Sequence, residues 1–247
     1  MDYQKLLEMK EELSRLLGKI PSKVLASFDN SFNIEYAHNS TAIEGNTLTL
    51  LQAKAVIEDG LSVGGKTLRE IYEVANHAKA FGYVKKCASE GKRLDESLVK
   101  DIHSMLMTNI LVGGVYRDVE VRISGAAHKP PAPSEMYHQI KSFFADLPYK
   151  TEQNAIESAA WTHAEFVKIH PFIDGNGRTS RMIMNYQLLT QGFLPVSITK
   201  ESRLEYYEAL ETYAINGNLN PFADMLAELE RQRLEEYLSA ARGFNPG

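Results

Sequence analysis

Cysteine is almost missing from this chain: Cys87 stands alone in 247 residues, so no disulfide can close within it. That composition fits a reducing compartment. No apolar run is long enough to span a bilayer. The N-terminal stretch MDYQKLLEMKEELSRLL is charged throughout and has no hydrophobic centre of the kind a secretory signal carries. We therefore expect a cytoplasmic protein without membrane contact. Neither sign of charge dominates. Against 32 Asp and Glu stand 27 Lys and Arg, and the net −5 provides no broad field to recruit nucleic acid. There is no internal repeat, low-complexity tract or long linker.

What is present is helical periodicity. Leu6, Leu13, Leu16 and Leu17 form one apolar stripe, ended by Gly18 and Pro21. Further helices are expected through residues 32–45, stopping at Gly45-Asn46, and through 49–60. A long one follows Thr67, whose spacing to Glu70 is that of a capping box, and another follows Asp95. Helices resume at 134–147, 152–169, 178–192 and 201–214. The last starts at the Asn220-Pro221 pair and runs to about residue 241. The pattern breaks between Leu111 and Pro133, where Gly113-Gly114, the alternating VEVRIS, Gly125, Pro130, Pro131 and Pro133 read as a short exposed hairpin or flap. The expected fold class is all-α with a short β-hairpin flap.

The stretch HPFIDGNGRTSR, residues 170–181, concentrates chemistry. Gly175-Asn176-Gly177 tolerates positive φ, so successive amides can turn toward one point. A helix beginning at Arg178 adds its free N–H groups and dipole at the same place. Together with an arginine this describes a phosphate cradle. Asp174 is an oxygen ligand suited to Mg²⁺, which commonly sits between one or two carboxylates and phosphates. His170 is the side chain best suited to accept a proton at neutral pH. Taken singly, GNG is more often a turn and a histidine after an apolar helix is more often a core residue. Base, metal carboxylate and cradle together suggest attack on a nucleotide phosphate. His163 lies seven residues before His170, and we read it as packing or support for the loop, because no third ligand stands at metal spacing. His103, His128 and His138 read as surface or hydrogen-bonded histidines.

HPFIDGNGRTSR matches in full the HPFx(D/E)GNGRxxR signature of the Fic (Fido) domain family. The flanking WTHAEFVKI and RMIMNYQLL resemble the family's central helices, GGVYRDVEVRISGAAHKPPAP its flap, and SRLEYYEAL the following helix. The resemblance covers roughly residues 94–230 and implies a Fic domain there. Residues 1–93 would be an N-terminal helical region, and 231–247 a helix end and tail. It further implies a protein adenylyltransferase that moves AMP from ATP to a Ser, Thr or Tyr hydroxyl of a protein target. His170 would be the base and Asp174 the Mg²⁺ ligand. Gly175, Asn176 (backbone and side chain), Gly177, Arg178 and Arg181 would hold the phosphates, with Tyr206 and Tyr207 near the adenine. From the residues alone, those two tyrosines read as core aromatics. Val119, Glu120, Val121, Arg122 and Ile123 would form a flap strand that docks the target by main-chain pairing; an ordinary surface hairpin is the other reading.

STAIEGN, residues 40–46, resembles the family's inhibitory (S/T)xxxE(G/N) motif. Ser40 and Glu44 fall on one helical face, in a helix of about 32–46. The resemblance implies a class II protein in which Glu44 pairs with Arg181 and inhibits its own chain. Two alternatives remain open, removal of AMP from a modified protein and a nucleotide-sensing module with vestigial transfer. The target is not named by the sequence, with the protein itself one candidate, and a homodimer is compatible with the apolar helical termini.

Overall fold

The computed structural model describes residues 3–123, 125–151 and 154–243. Ten α-helices occupy the described residues. They are α1 (Tyr3–Leu16), α2 (Ser22–Ile43), α3 (Leu50–Asp59), α4 (Leu68–Ser89), α5 (Glu96–Met107), α6 (Pro133–Thr151), α7 (Ala155–Ile169), α8 (Asn176–Thr190), α9 (Arg203–Asn216) and α10 (Asn220–Gly243). Several of these helices start on a side-chain cap. Thr49 and Thr67 each close a reciprocal capping box, with Gln52 and Glu70, and Asp95 accepts from the Leu98 amide. The helix expected from residue 32 begins at Ser22, because Leu25 and Phe28 extend its apolar stripe onto the side of the core that α10 covers. Phe28 meets Tyr237 of α10 edge-on at 5.2 Å. The expected start of the seventh helix at residues 152 and 153, and the tail at 244–247, lie outside the described residues.

Helices α7 and α8 pack side by side at the centre and supply both main apolar clusters. In the first, Ala155, Ala159, Met184 and Leu188 meet α1, α9 and α10. In the second, Phe166, Ile169, Met182 and Ile183 meet residues of α2, α4, α5 and α6. A helix enclosed on all sides has to satisfy its polar groups internally. α8 is buried from Arg178 to Leu188, and it carries two arginines, so its environment is specialised from the first turn.

The flap strand expected at 119–123 is absent, and no strand occurs among the described residues. An isolated two-stranded hairpin is marginal in water, and this one lacks a partner limb able to pair. Pro130 and Pro131 offer no N–H, the Ala127 and His128 amides donate to Glu211, and the Val119 carbonyl accepts from Arg117. The flap is an irregular excursion held by side chains.

Candidate active site

The loop from residue 170 to 175 joins α7 to α8 and is pinned from three directions. His170 takes the C-cap of α7 in the left-handed region (φ 53), which a non-glycine residue adopts only when held there. Phe172 is fully buried and its ring lies flat on His103, with centroids 3.6 Å apart. Asn176 closes the loop on itself: its Oδ1 accepts from the Phe172 N–H at 2.9 Å and its Nδ2 donates to the Phe172 carbonyl at 2.8 Å. That buried amide holds the Phe172 main chain at both its N–H and its carbonyl. Gly175 (φ 76) precedes α8, and a side chain there would meet Met107 and His103.

The His170 Nδ1–H donates to the Val167 carbonyl at 3.2 Å, which leaves the lone pair of the neutral ring on Nε2. Burial pushes its pKa down to about 4; the Val167 carbonyl and Glu44 oppose the shift, and Arg117 and His128 add to it. At neutral pH the ring is a free base.

Arg178 and Arg181 are both buried on the first turn and a half of α8. Arg181 donates through Nε to Ser40 Oγ at 2.8 Å and through Nη2 to the Ser40 carbonyl at 2.8 Å and to Glu44 Oε1 at 2.8 Å. Its Nη1 reaches the Tyr206 hydroxyl at 3.2 Å, and that hydroxyl lies 2.9 Å from His163 Nε2. Burial alone would lower the Arg181 pKa, but Tyr206 and Glu44 outweigh it and the charge is held firmly. Glu44 follows the last turn of α2, and its carboxylate lies directly over Gly177, where any side chain would strike Oε1. A carboxylate thus rests against a helix N-terminus and an arginine, the environment that favours anions.

Asp174 sits between two guanidinium groups. Its Oδ1 accepts from the Gly175 amide at 2.6 Å and lies 3.3 Å from Arg178 Nη2, and its Oδ2 pairs with Arg69 of α4. Burial would raise its pKa, but Arg178, the Gly175 amide and Arg69 together hold it below the ordinary carboxylate value. No group of three or more His, Cys, Asp or Glu able to hold a metal occurs among the described residues. A lone ionised carboxylate beside an anion cradle still fits Mg²⁺, which takes one or two protein carboxylates and fills its other positions with phosphate and water.

His170, Asp174, Gly175, Gly177, Arg178, Arg181, Ser40 and Glu44 therefore converge. Tyr207 stays at the rim, 38% exposed, with its hydroxyl 3.3 Å from the Ile43 carbonyl. Tyr206 lies behind it, the two ring centroids 5.3 Å apart, buried with its hydroxyl against Arg181. In the flap, Val119, Glu120 and Arg122 are exposed and Val121 and Ile123 partly so.

Residues 93–188 match the family model described as Fic/DOC family. The chain belongs to the Fic/DOC family. Across 97% of its length it is 34% identical to protein adenylyltransferase Fic of Nematostella vectensis, and it spans 57% of that protein. With the Drosophila willistoni protein of the same name, identity is 32% over 83% of this chain and 42% of the relative. The chain thus spans about half the length of the curated relatives it matches. Fic-1 from C. elegans superposes with a TM-score of 0.83 at 26% identity, covering 98% of this chain and 72% of that one. A Fic domain containing signaling protein from Bacteroides thetaiotaomicron shares the fold end to end, with a TM-score of 0.87 at 23% identity.

Around the Fic signature stand four residues that sequence reasoning did not assign to the site. Arg69 and Glu73 come from α4, with Arg69 Nε 3.1 Å from Glu73 Oε1 and Arg178 Nη1 3.7 Å from the same oxygen. His103 is buried, accepts from the Gly114 amide at Nδ1 (2.8 Å) and donates from Nε2 to the Asp174 carbonyl (2.9 Å). Burial pushes its pKa down to about 4, in keeping with that neutral tautomer. Arg117 binds only main-chain oxygens. Their sequence neighbourhoods carry no local sign of this, since the partners are backbone groups or lie far along the chain. His163, expected as support, does support: it contacts Ser180 Oγ at 3.1 Å as well as Tyr206.

Proposed function

We propose that this chain transfers AMP from ATP to a hydroxyl of a protein side chain, and that Glu44 holds it in an inhibited state. The observation that carries the reading is the Glu44 carboxylate seated on Gly177 and Arg181. A negatively charged group of the chain itself occupies the place where the signature would grip a phosphate. Support also comes from the relatives named protein adenylyltransferase, which align with nearly the whole chain.

In the proposed reaction the target hydroxyl gives its proton to His170 Nε2 as its oxygen attacks the α-phosphorus. The bond from that phosphorus to the bridging oxygen breaks, and pyrophosphate leaves in line. The amides at the start of α8 bind phosphate oxygens, Arg178 clamps the β/γ region, and Arg181 takes the γ-phosphate once Glu44 has left it. Asp174 would hold Mg²⁺, which supplies charge neutralisation on the departing pyrophosphate. Phosphoryl-type transfer of this kind rests on positioning and charge stabilisation. Arg178 is suited to its part, because Nε and Nη1 are buried without a hydrogen-bond partner. Tyr207 at the rim is the aromatic available to a nucleobase. The flap, although it forms no strand, would receive the target segment. Residues 1–93 serve as the inhibitory region and 94–230 as the transfer domain.

Mass spectrometry after incubation with Mg-ATP tests this. The Glu44→Gly protein should gain an adenylyl group on a hydroxyl, on itself or an added target, faster than wild type, and Glu44→Gly/His170→Ala should gain it about 10²–10⁴-fold more slowly. No adduct in Glu44→Gly rules the reading out. Glu44 also lies close enough to His170 to affect its pKa, which suits water activation for AMP removal. Wild type stripping the adduct that Glu44→Gly makes would establish that second direction.

A further inference from the structure

Arg117 is 1% exposed, among the most deeply buried charged residues described, and no salt bridge within hydrogen-bonding range joins it to a described carboxylate, although the charge of Glu120 acts on it. Its guanidinium spans three main-chain oxygens instead. Nε donates to the His170 carbonyl at 2.8 Å, Nη1 to the Val119 carbonyl at 2.9 Å and Nη2 to the Pro131 carbonyl at 2.5 Å. Its own amide donates to the Pro171 carbonyl at 2.9 Å. Two of those oxygens lie on the outgoing and returning limbs of the flap. The other two belong to His170 and the residue after it.

We propose that Arg117 is a positioning residue that ties both limbs of the flap to the main chain of His170, so that the surface receiving the target and the proton acceptor move as one piece. The inference rests on the transfer reading above. Geometry explains why an arginine is required. Its fork presents donors in three fixed directions within one plane, whereas lysine concentrates its donors at a single nitrogen. The site it secures also needs securing. His170 holds a left-handed backbone that costs energy wherever the surroundings do not impose it. Its N–H is fixed to the Phe166 carbonyl at 3.0 Å, and the Arg117 bond fixes the opposite end of the residue. Arg117 touches no group assigned to the phosphates. The flap has separate anchors farther out, where Glu211 accepts from Ala127 and His128, and His128 Nε2 donates to the Lys168 carbonyl at 2.8 Å. Loss of Arg117 therefore loosens the near end of the flap and His170 together, leaving the anion cradle intact.

The test uses the Glu44→Gly protein as parent and adds Arg117→Lys, Arg117→Ala or Glu211→Ala. In Arg117→Lys, Mg-ATP affinity should stay at the parent value while the single-turnover transfer rate falls by about 10²-fold, the effect of a displacement of roughly 1 Å at the reacting atoms. Added guanidinium should restore part of the rate of Arg117→Ala. Amide hydrogen exchange should rise in residues 166–173 and in the flap together for Arg117→Lys, and only around 126–128 for Glu211→Ala. An unchanged rate, a loss of ATP affinity in step with the rate, or faster exchange in the flap alone would each overturn the proposal. If the parent itself makes no adduct, the transfer reading fails, and the exchange pattern still decides whether Arg117 couples the two segments.

Discussion

At His170, the commitment of Nδ1–H to the Val167 carbonyl and a pKa pushed down to about 4 have a kinetic consequence. The groups facing the ring are Arg117 and His128, which push the pKa down with burial, and Glu44, which opposes them. Removing Glu44 therefore leaves the base at least as acidic. Transfer by Glu44→Gly should be level through neutral pH, and its acid limb should lie at or below about pH 4 rather than at the ordinary histidine value of about 6.5. Single-turnover rates across pH check this, and a limb centred near 6.5 would show that the ring titrates as if exposed. His170→Ala should lose about 10²–10⁴-fold, the usual contribution of a positioned base. Residues 170–181 were legible in the sequence because they are contiguous and their spacing is itself the geometry. Arg69, Glu73, His103 and Arg117 were not, because nothing local tells an inward-turning arginine or histidine from a solvated one. The residues alone read Tyr206 as a core aromatic, and it is buried; its hydroxyl against Arg181 and the hold of Asn176 on Phe172 are contacts the sequence did not name.

Among the elements, α4 begins with a full capping box at Thr67 and carries Arg69 and Glu73 to the site within its first turns. Thr67→Ala should cost about 0.5–2 kcal/mol. Its thermal midpoint should drop by about 2–4 °C per kcal/mol, readable by calorimetry. On α10, Glu230 is fully buried, accepts from the Leu194 amide at 2.9 Å, and is pushed up to about 8 by burial, against the Leu194 amide, Arg233 and Lys10. The folded state binds this proton more tightly than the unfolded chain, so its stabilisation is fully present below pH 4.5 and lost as pH rises through about 8. Glu230→Gln keeps a carbonyl acceptor and removes the ionisation. It should unfold at a higher denaturant concentration than wild type at pH 8 and close to it at pH 5; equal midpoints at pH 8 would mean the carboxyl stays solvated. The Thr67 cap was legible because Thr-x-x-Glu acts over a few residues, whereas the Asn220-Pro221 pair lies one position inside α10, whose first amides donate to the Leu219 carbonyl. The flap strand failed because alternation describes a strand's faces and says nothing about whether a partner with free amides exists.

For the whole molecule, four histidines are held neutral by burial. His103 and His170 lie near 4, and His77 and His163 are well below the ordinary value. Between about pH 4 and 6.5 the unfolded chain binds more protons at these groups than the folded one, so stability rises with pH across that window and is lost as pH falls. Glu230 acts in the opposite direction, one group against four. Urea midpoints should therefore fall steadily from pH 6.5 to 4, and a flat profile would show that the histidines reach solvent. No helix among the described residues is long and apolar enough to cross a membrane.

The sequence by itself determined the helical class, most helix starts and the Fic signature, since each rests on contacts a few residues apart. Tertiary structure decided which further charges turn inward. It set Arg69 against Asp174 and hung the flap on Arg117, and it realised the pairing of Glu44, just past α2, with Arg181 that the resemblance implied. Such pairings join residues 14 to 137 positions apart, and burying a charge is tolerable only where the folded chain happens to supply its partner.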